Sequence, residues 1–113
     1  MIEVLTPITF SREIDSSMRE IIIPEEFIKD FHFTNKGHLM IMIRVLGTDS
    51  KKVIDFFQDS EKHMFSIKTT TNGKQISNQF LLSSMYIDEG PPISVDIDLD
   101  QPMARLILDF QKI

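Results

Sequence analysis

Apolar and polar residues alternate with a period of two over much of this chain, which is the spacing of a β-strand with one dry face. The clearest alternation is Ile93–Asp100, where four aliphatic residues are interleaved with polar ones. Asp96, Asp98 and Asp100 fall on the face opposite the aliphatic side chains. The pattern predicts one continuous strand that keeps its aliphatic side in the core and turns three carboxylates to solvent.

Further strands are predicted where β-branched and aromatic residues cluster between proline, glycine or asparagine turns. They cover residues 1–10, 18–23, 38–45, 64–71, 75–87 and 104–110. The polar stretch Ser11–Ser17 is predicted to be a turn or loop, and a bend is expected near Ser83–Ser84. The Asn72–Gly73 pair tolerates two positive φ angles, which is typical of a two-residue hairpin loop.

One segment has the period of a helix. A helix is predicted over about residues 50–59, with Asp49 or Ser50 as its cap. Its four large apolar side chains fall within roughly 160° of the circumference, so the helix is expected to lie on the sheet. These side chains belong to Val53, Ile54, Phe56 and Phe57.

Residues 24–31 allow two interpretations. Proline suits the first turn of a helix, so a short helix can begin at Pro24. Alternatively, the segment is an irregular loop held in place by Phe27 and Phe31.

These elements predict a single domain over residues 1–113 that is mainly β. We expect a β-sandwich or barrel of about seven strands that carries one amphipathic side helix. A chain of 113 residues is long enough to enclose one hydrophobic core.

Composition excludes several kinds of protein. The chain has no cysteine, so disulfides, thiolate zinc sites and cysteine nucleophiles are ruled out. Its net charge of −5 argues against sequence-specific nucleic-acid binding, which usually needs a basic surface. No signal peptide is recognised, and the longest apolar run is too short to cross a membrane. We therefore expect a protein that is cytoplasmic at synthesis.

No catalytic, cofactor or metal motif is found in the sequence. The three histidines, His32, His38 and His63, match no metal-binding spacing. The Asp96-x-Asp98-x-Asp100 pattern fails as a calcium loop, since positions 101 and 107 hold Gln and Ile where such a loop needs Gly and Glu. The prediction is a non-enzymatic protein without a cofactor.

Two charged surfaces are candidates for protein contacts. The acidic face of Asp96, Asp98 and Asp100 is one of them. The other is the hairpin that carries Lys68, Asn72 and Lys74, and its charge is positive. Opposite charges suit head-to-tail contacts between identical subunits, whereas the simpler interpretation is that each is a solvated surface charge.

The order of elements resembles the tail-tube proteins of contractile phage tails and the related type VI secretion tube protein. An apolar strand at His38–Val45 leads into a side helix at Asp49–Gln58. A strand, an Asn-Gly turn and a long strand follow over Phe65–Ile87. A turn containing Gly and Pro then precedes the acidic strand and a last strand that ends at Phe110.

The resemblance implies a β-sandwich that assembles through its sheet edges into a ring, commonly a hexamer, around a channel. Asp96, Asp98 and Asp100 would then line the channel, and the protein would end up in a phage virion as a tail-tube or baseplate component. Two alternatives remain. One is a small soluble adaptor or inhibitor that binds a protein partner through the acidic face. The other is an enzyme or ligand-binding barrel whose site residues are dispersed in the sequence.

Overall fold

The computed structural model describes residues 7–47, 49–60, 62–71, 74–88, 93–96, 99–101 and 103–113. Within these residues the chain forms nine strands, one α-helix and a 3₁₀ turn at Glu25–Phe27. The strands and the helix are β1 (Ile8–Ile14), β2 (Ser17–Ile23), β3 (Ile28–Phe33), β4 (Leu39–Leu46), α1 (Asp49–Phe57), β5 (Met64–Thr71), β6 (Lys74–Asp88), β7 (Ile93–Asp96), β8 (Leu99–Gln101) and β9 (Met103–Lys112).

Seven strands form one sheet in the order β2-β1-β5-β6-β9-β4-β3, and every neighbouring pair is antiparallel. The remaining two strands, β7 and β8, pair with each other. The predicted fold class is confirmed: the protein is mainly β, with seven strands in its sheet and a single helix among the described residues.

The sheet must curl strongly, because its two edge strands are consecutive in the chain. Six strand spacings separate β2 from β3, which would place the edges of a flat sheet about 29 Å apart. The connection Pro24–Phe27 spans at most about 18 Å even when fully extended. The chain therefore turns a corner after Ile23 and passes from one edge of the curled sheet to the other, as strands do at the corners of orthogonal β-packings.

The core lies on the concave face of this curled sheet. Inward-facing residues alternate along each strand, as in β1, where Ile8 and Phe10 are fully buried. The helix α1 covers the concave face with Val53 and Phe57, and the Phe57 ring packs edge-on against Phe10 at 5.1 Å between centroids. It also stacks on Phe65 at 5.6 Å, so the helix is joined to two different strands through aromatic contacts.

The predicted helix is confirmed with small changes at its ends. It begins at Asp49 itself, so Asp49 is a helical residue rather than the cap. It ends at Phe57, although Gln58 still donates its backbone N–H to the Ile54 carbonyl at 2.8 Å. Two of the four predicted apolar residues are fully buried, while Ile54 and Phe56 are half-buried against the core.

The prediction of a loop over Ser11–Ser17 was wrong. β1 continues to Ile14, and the turn consists only of Asp15 and Ser16 before β2 begins. The segment looks like a loop because its residues are polar on both faces of the strand. Ser11 and Glu13 lie on the outer face, while Arg12 between them points inward and is buried. Residues 1–6 of the predicted first strand lie outside the described residues.

Residues 24–31 follow neither of the two predicted forms throughout. A single 3₁₀ turn follows Pro24, and then β3 pairs with β4 from Ile28 onward. Phe27 and Phe31 are four residues apart, a spacing that suggests a helix, but the pairing with β4 places Phe31 opposite Ile41.

The prediction of one continuous strand over 93–100 was also wrong. β7 and β8 pair antiparallel, with Ile93 opposite Gln101 and Asp96 opposite Leu99. Asp96 and Asp100 therefore lie on two paired strands rather than in one row, and Asp98 lies outside the described residues. A period of two is shared by both arms of a hairpin, so alternation alone does not reveal the reversal.

Both predictions for the long hairpin are confirmed. Thr71 pairs with Lys74, which leaves a two-residue loop at positions 72–73. The bend expected near Ser83–Ser84 is a register shift between Leu82 and Ser84 in the pairing of β6 with β9. This β-bulge changes which β6 residues face the core, so Leu82 and Met85 both point inward.

The buried Phe57 ring predicts a large loss of stability on truncation. We expect Phe57→Ala to lower the free energy of unfolding by about 3–5 kcal/mol, because the lost ring leaves a cavity between α1 and the sheet. Tyr86→Ala is the control, since Tyr86 is 55% exposed on the outer face. In urea melts the control should lose less than about 1.5 kcal/mol; a similar loss in both variants would contradict the packing of α1.

Candidate functional site

The free edge of β2 is regular and exposes two large apolar side chains. Asp15 and Ser16 have φ angles of 51° and 65°, as in the two-residue type I′ turn that closes a β-hairpin with a hydrogen-bonded pair. Bonded and non-bonded pairs alternate from there, so the backbone groups of Met18, Glu20 and Ile22 point away from β1. The Met18 and Ile22 side chains are 69% and 58% exposed.

The free edge of β3 is shorter and better protected. Its ladder with β4 begins at the Thr34 N–H, which donates to the His38 carbonyl at 2.8 Å. Bonded and non-bonded pairs alternate along the ladder from this bond. The backbone N–H and C=O groups of Phe31 and Phe33 therefore point away from β4, toward the free edge. A bulge between Ile28 and Asp30 interrupts the strand, and Asp30 Oδ2 lies 2.9 Å from His32 Nδ1. Bulges and charged side chains are what proteins use to blunt an edge.

The chain has no means of closing these two edges on each other. Counting the antiparallel steps around the sheet, β2 and β3 run in the same direction. Parallel strands can pair within one chain only through a crossover of a dozen or more residues. The actual connection, Pro24–Phe27, has four residues. Both edges are consequently left open within the described part of the monomer.

The lysines of the predicted contact hairpin do not share a face. Lys68 is exposed on β5, next to the inward-facing Ile67, so it lies on the outer side of the sheet. Lys74 is exposed on β6 and has the parity of Ile76, which pairs with the buried Thr69. Asn72, the third predicted contact residue, lies outside the described residues. The two lysines therefore lie on opposite faces of the sheet.

The predicted acidic face remains a prediction. Asp96 and Asp100 belong to the β7–β8 hairpin, and their backbone positions are known, but Asp98 lies outside the described residues. The pairing places Asp100 opposite Ser94.

A buried arginine, which the sequence analysis did not single out, seals the end of the helix. Arg12 is only 7% exposed, and its guanidinium lies over the Phe65 ring at 5.6 Å. Nη1 donates to the Phe56 carbonyl at 3.2 Å, one of the carbonyls that a helix end leaves unpaired. The Ser60 hydroxyl donates a hydrogen bond to the next carbonyl, that of Phe57. The cation also lies at the negative end of the helix dipole.

Burial of Arg12 has a cost that its contacts only partly offset. Desolvation lowers the pKa of the Arg12 guanidinium below its usual value. Nε has no hydrogen-bond partner among the described residues. Nη2 lies 3.1 Å from His63 Nδ1. We therefore assign Arg12 a structural role at the junction of β1, α1 and the segment that leads into β5.

His38 and His63 use Nδ1 in opposite ways. A guanidinium only donates, so His63 Nδ1 must accept and its ring proton lies on Nε2. His38 Nδ1 lies 2.9 Å from Asp109 Oδ1 on the neighbouring strand β9, and a carboxylate accepts, so here Nδ1 must donate.

A cleft of about 240 Å³ lies between the corner after β2 and the first turn of α1, and its lining is mainly apolar. Two other depressions are open and shallow. The described residues contain no cluster of three or more side chains able to hold a metal ion. None of the described helices is long and apolar enough to span a bilayer.

Comparison with known proteins identifies no relative of this chain. No family model matches it, and neither the curated proteins nor the solved structures contain a significant match. Function is therefore inferred from the geometry of the sheet edges.

Replacing Arg12 should test its structural role. We expect Arg12→Leu to lower the free energy of unfolding by about 1–3 kcal/mol, because it leaves a helix carbonyl and an imidazole nitrogen without their donor. Arg44→Leu is the matched control, since Arg44 is exposed and lies on β4, an interior strand of the sheet. Its change should stay within about 0.5 kcal/mol. Equal effects in chemical denaturation would contradict the assignment.

The histidine contacts predict two different tautomers in one protein. At alkaline pH, where free imidazole is neutral, long-range ¹H–¹⁵N spectra should show His63 protonated at Nε2 and His38 protonated at Nδ1. Arg12→Leu should change the nitrogen shifts of His63 and leave those of His38 in place. The same tautomer for both rings would rule out one of the two contacts.

Proposed function

We propose that this chain is a non-enzymatic structural subunit that associates with copies of itself through the free edges of its sheet to form a ring. The β2 edge supports the proposal more than any other feature. It presents three successive outward-facing backbone positions without a bulge or proline, flanked by the exposed Met18 and Ile22. An edge of this kind is a template for pairing with another strand.

The connectivity of the chain also favours association between copies. The short corner after Ile23 prevents β2 and β3 from pairing with each other, so each edge can be completed only by another strand. Such a subunit would be made in the cytoplasm. The order of elements that resembles tail-tube proteins favours a ring, and with it a place in a phage virion as a tail-tube or baseplate component.

The size of the protein in solution tests this proposal. Light scattering over a range of concentrations should give a mass of several subunits, and electron micrographs should show rings or rods. A strict monomer at every concentration would contradict assembly and favour the alternative of a small adaptor that binds a different protein.

A charge placed on the β2 edge should weaken assembly. Met18→Glu replaces an apolar side chain that we expect the neighbouring copy to bury, and its loss should lower the association constant by about tenfold or more. Met64→Glu is the matched control, because Met64 is 49% exposed but lies on β5, which has neighbours on both sides. Sedimentation equilibrium should show weakened association for Met18→Glu alone; equal weakening in both variants would argue against the β2 edge.

A further inference from the structure

We infer that the junction between copies is a parallel, head-to-tail pairing of β3 of one copy with β2 of the next. This inference rests on the proposed function and goes further, since it specifies direction, register and the residues that meet. It starts from the two free edges and from one requirement, that neighbouring copies keep their concave faces on the same side of the shared sheet. The outward-facing backbone groups of β2 and β3 then fix the relative direction of the two strands.

The hydrogen-bonding groups of the two edges fit this parallel arrangement. On β3 the outward-facing backbone groups belong to Phe31 and Phe33, whose side chains point toward the concave face, opposite Ile41 and Leu39. On β2 they belong to residues whose side chains lie on the outer face, such as Glu20. In a parallel ladder each residue bonds to two residues of the partner strand whose side chains point the opposite way. The concave faces of the two copies are therefore continuous across the junction.

An antiparallel junction would break this continuity. In an antiparallel pair, bonded residues stand directly opposite and point to the same side. Phe31 and Phe33 would then be placed on the same side as Met18 and Glu20, so the concave face of one copy would join the outer face of the next.

One register brings complementary side chains together. With Asp30–Phe33 beside Met18–Ile21, His32 lies next to Glu20 on the outer face. On the concave face Phe33, which is 52% exposed in the monomer, lies next to Ile21. Phe31 falls beside the exposed Arg19, where a cation can stack on the ring. Because His32 Nδ1 contacts Asp30 at 2.9 Å, the imidazolium form is free to donate Nε2–H to Glu20.

The neighbouring registers and the symmetric alternative are less favourable. A shift of two residues in one direction places Asp30 beside Glu20, and a shift in the other direction moves His32 to Met18. Two β2 strands can also pair antiparallel about a two-fold axis, with Met18 opposite Ile22. That arrangement places Glu20 directly opposite Glu20, and like charges in this position are destabilising.

Disulfide trapping tests the junction, and the absence of native cysteine gives a clean background. Cα atoms of adjacent strands lie about 4.8 Å apart, which is within the range that a disulfide spans. We would prepare Glu20→Cys, His32→Cys and the double variant; both positions are exposed in the monomer, so the folds should be unaffected. Met64→Cys on the interior strand β5 serves as the control.

Mild oxidation of an equimolar mixture of Glu20→Cys and His32→Cys should give dimers on a non-reducing gel, and the double variant should give a ladder of multimers. These products should form at least about tenfold faster than products with Met64→Cys, because only the juxtaposed thiols have a high effective concentration. Glu20→Cys alone should give no rapid dimer.

The outcomes separate this inference from the proposed function. A strict monomer in light scattering would overturn both. Oligomers in which Glu20→Cys alone forms dimers rapidly would keep edge assembly but replace the head-to-tail junction by a two-fold one. Oligomers without rapid trapping of the Glu20–His32 pair would overturn the junction, and faster trapping of Asp30→Cys with Glu20→Cys would overturn the register.

Discussion

The four-residue connection between the two edge strands is the constraint on which the rest of this structure depends. Pro24–Phe27 is too short to cross a flat seven-stranded sheet, so it holds the sheet in a curl and creates the concave face that becomes the core. The same shortness prevents a parallel pairing of β2 with β3. One local feature thus both curls the sheet and keeps its two edges from pairing with each other.

The curl creates a second requirement, because a concave face needs a cover. The helix α1 supplies it through Phe57, which contacts Phe10 and Phe65 on two different strands. The carboxyl end of the helix is thereby brought into an apolar environment, where its carbonyl groups need donors. Arg12 provides one of them at the cost of burying a cation, and the ring of Phe65 beneath the guanidinium reduces that cost.

The sequence predicts the elements of this fold better than their arrangement. The helix, the hairpin at 72–73 and the bulge near Ser83 follow from local patterns that depend on few neighbours. The predicted first strand ends too early because a buried arginine cannot be told from a surface arginine in the sequence. β3 was not predicted because the spacing of Phe27 and Phe31 suits a helix equally well. Which strands form the free edges could not be predicted, since the identity of the edge strands depends on pairing order, which leaves no trace in periodicity.

The two edges differ in a way that bears on how the proposed assembly would stop. β3 is protected by a bulge and by the Asp30–His32 contact, whereas β2 is regular and exposes Met18 and Ile22. Unlike edges would make a heterologous contact, which closes into a ring if the rotation between copies divides a full turn and otherwise grows into a filament. The net charge of −5 would oppose unlimited growth, because each added copy increases the repulsion.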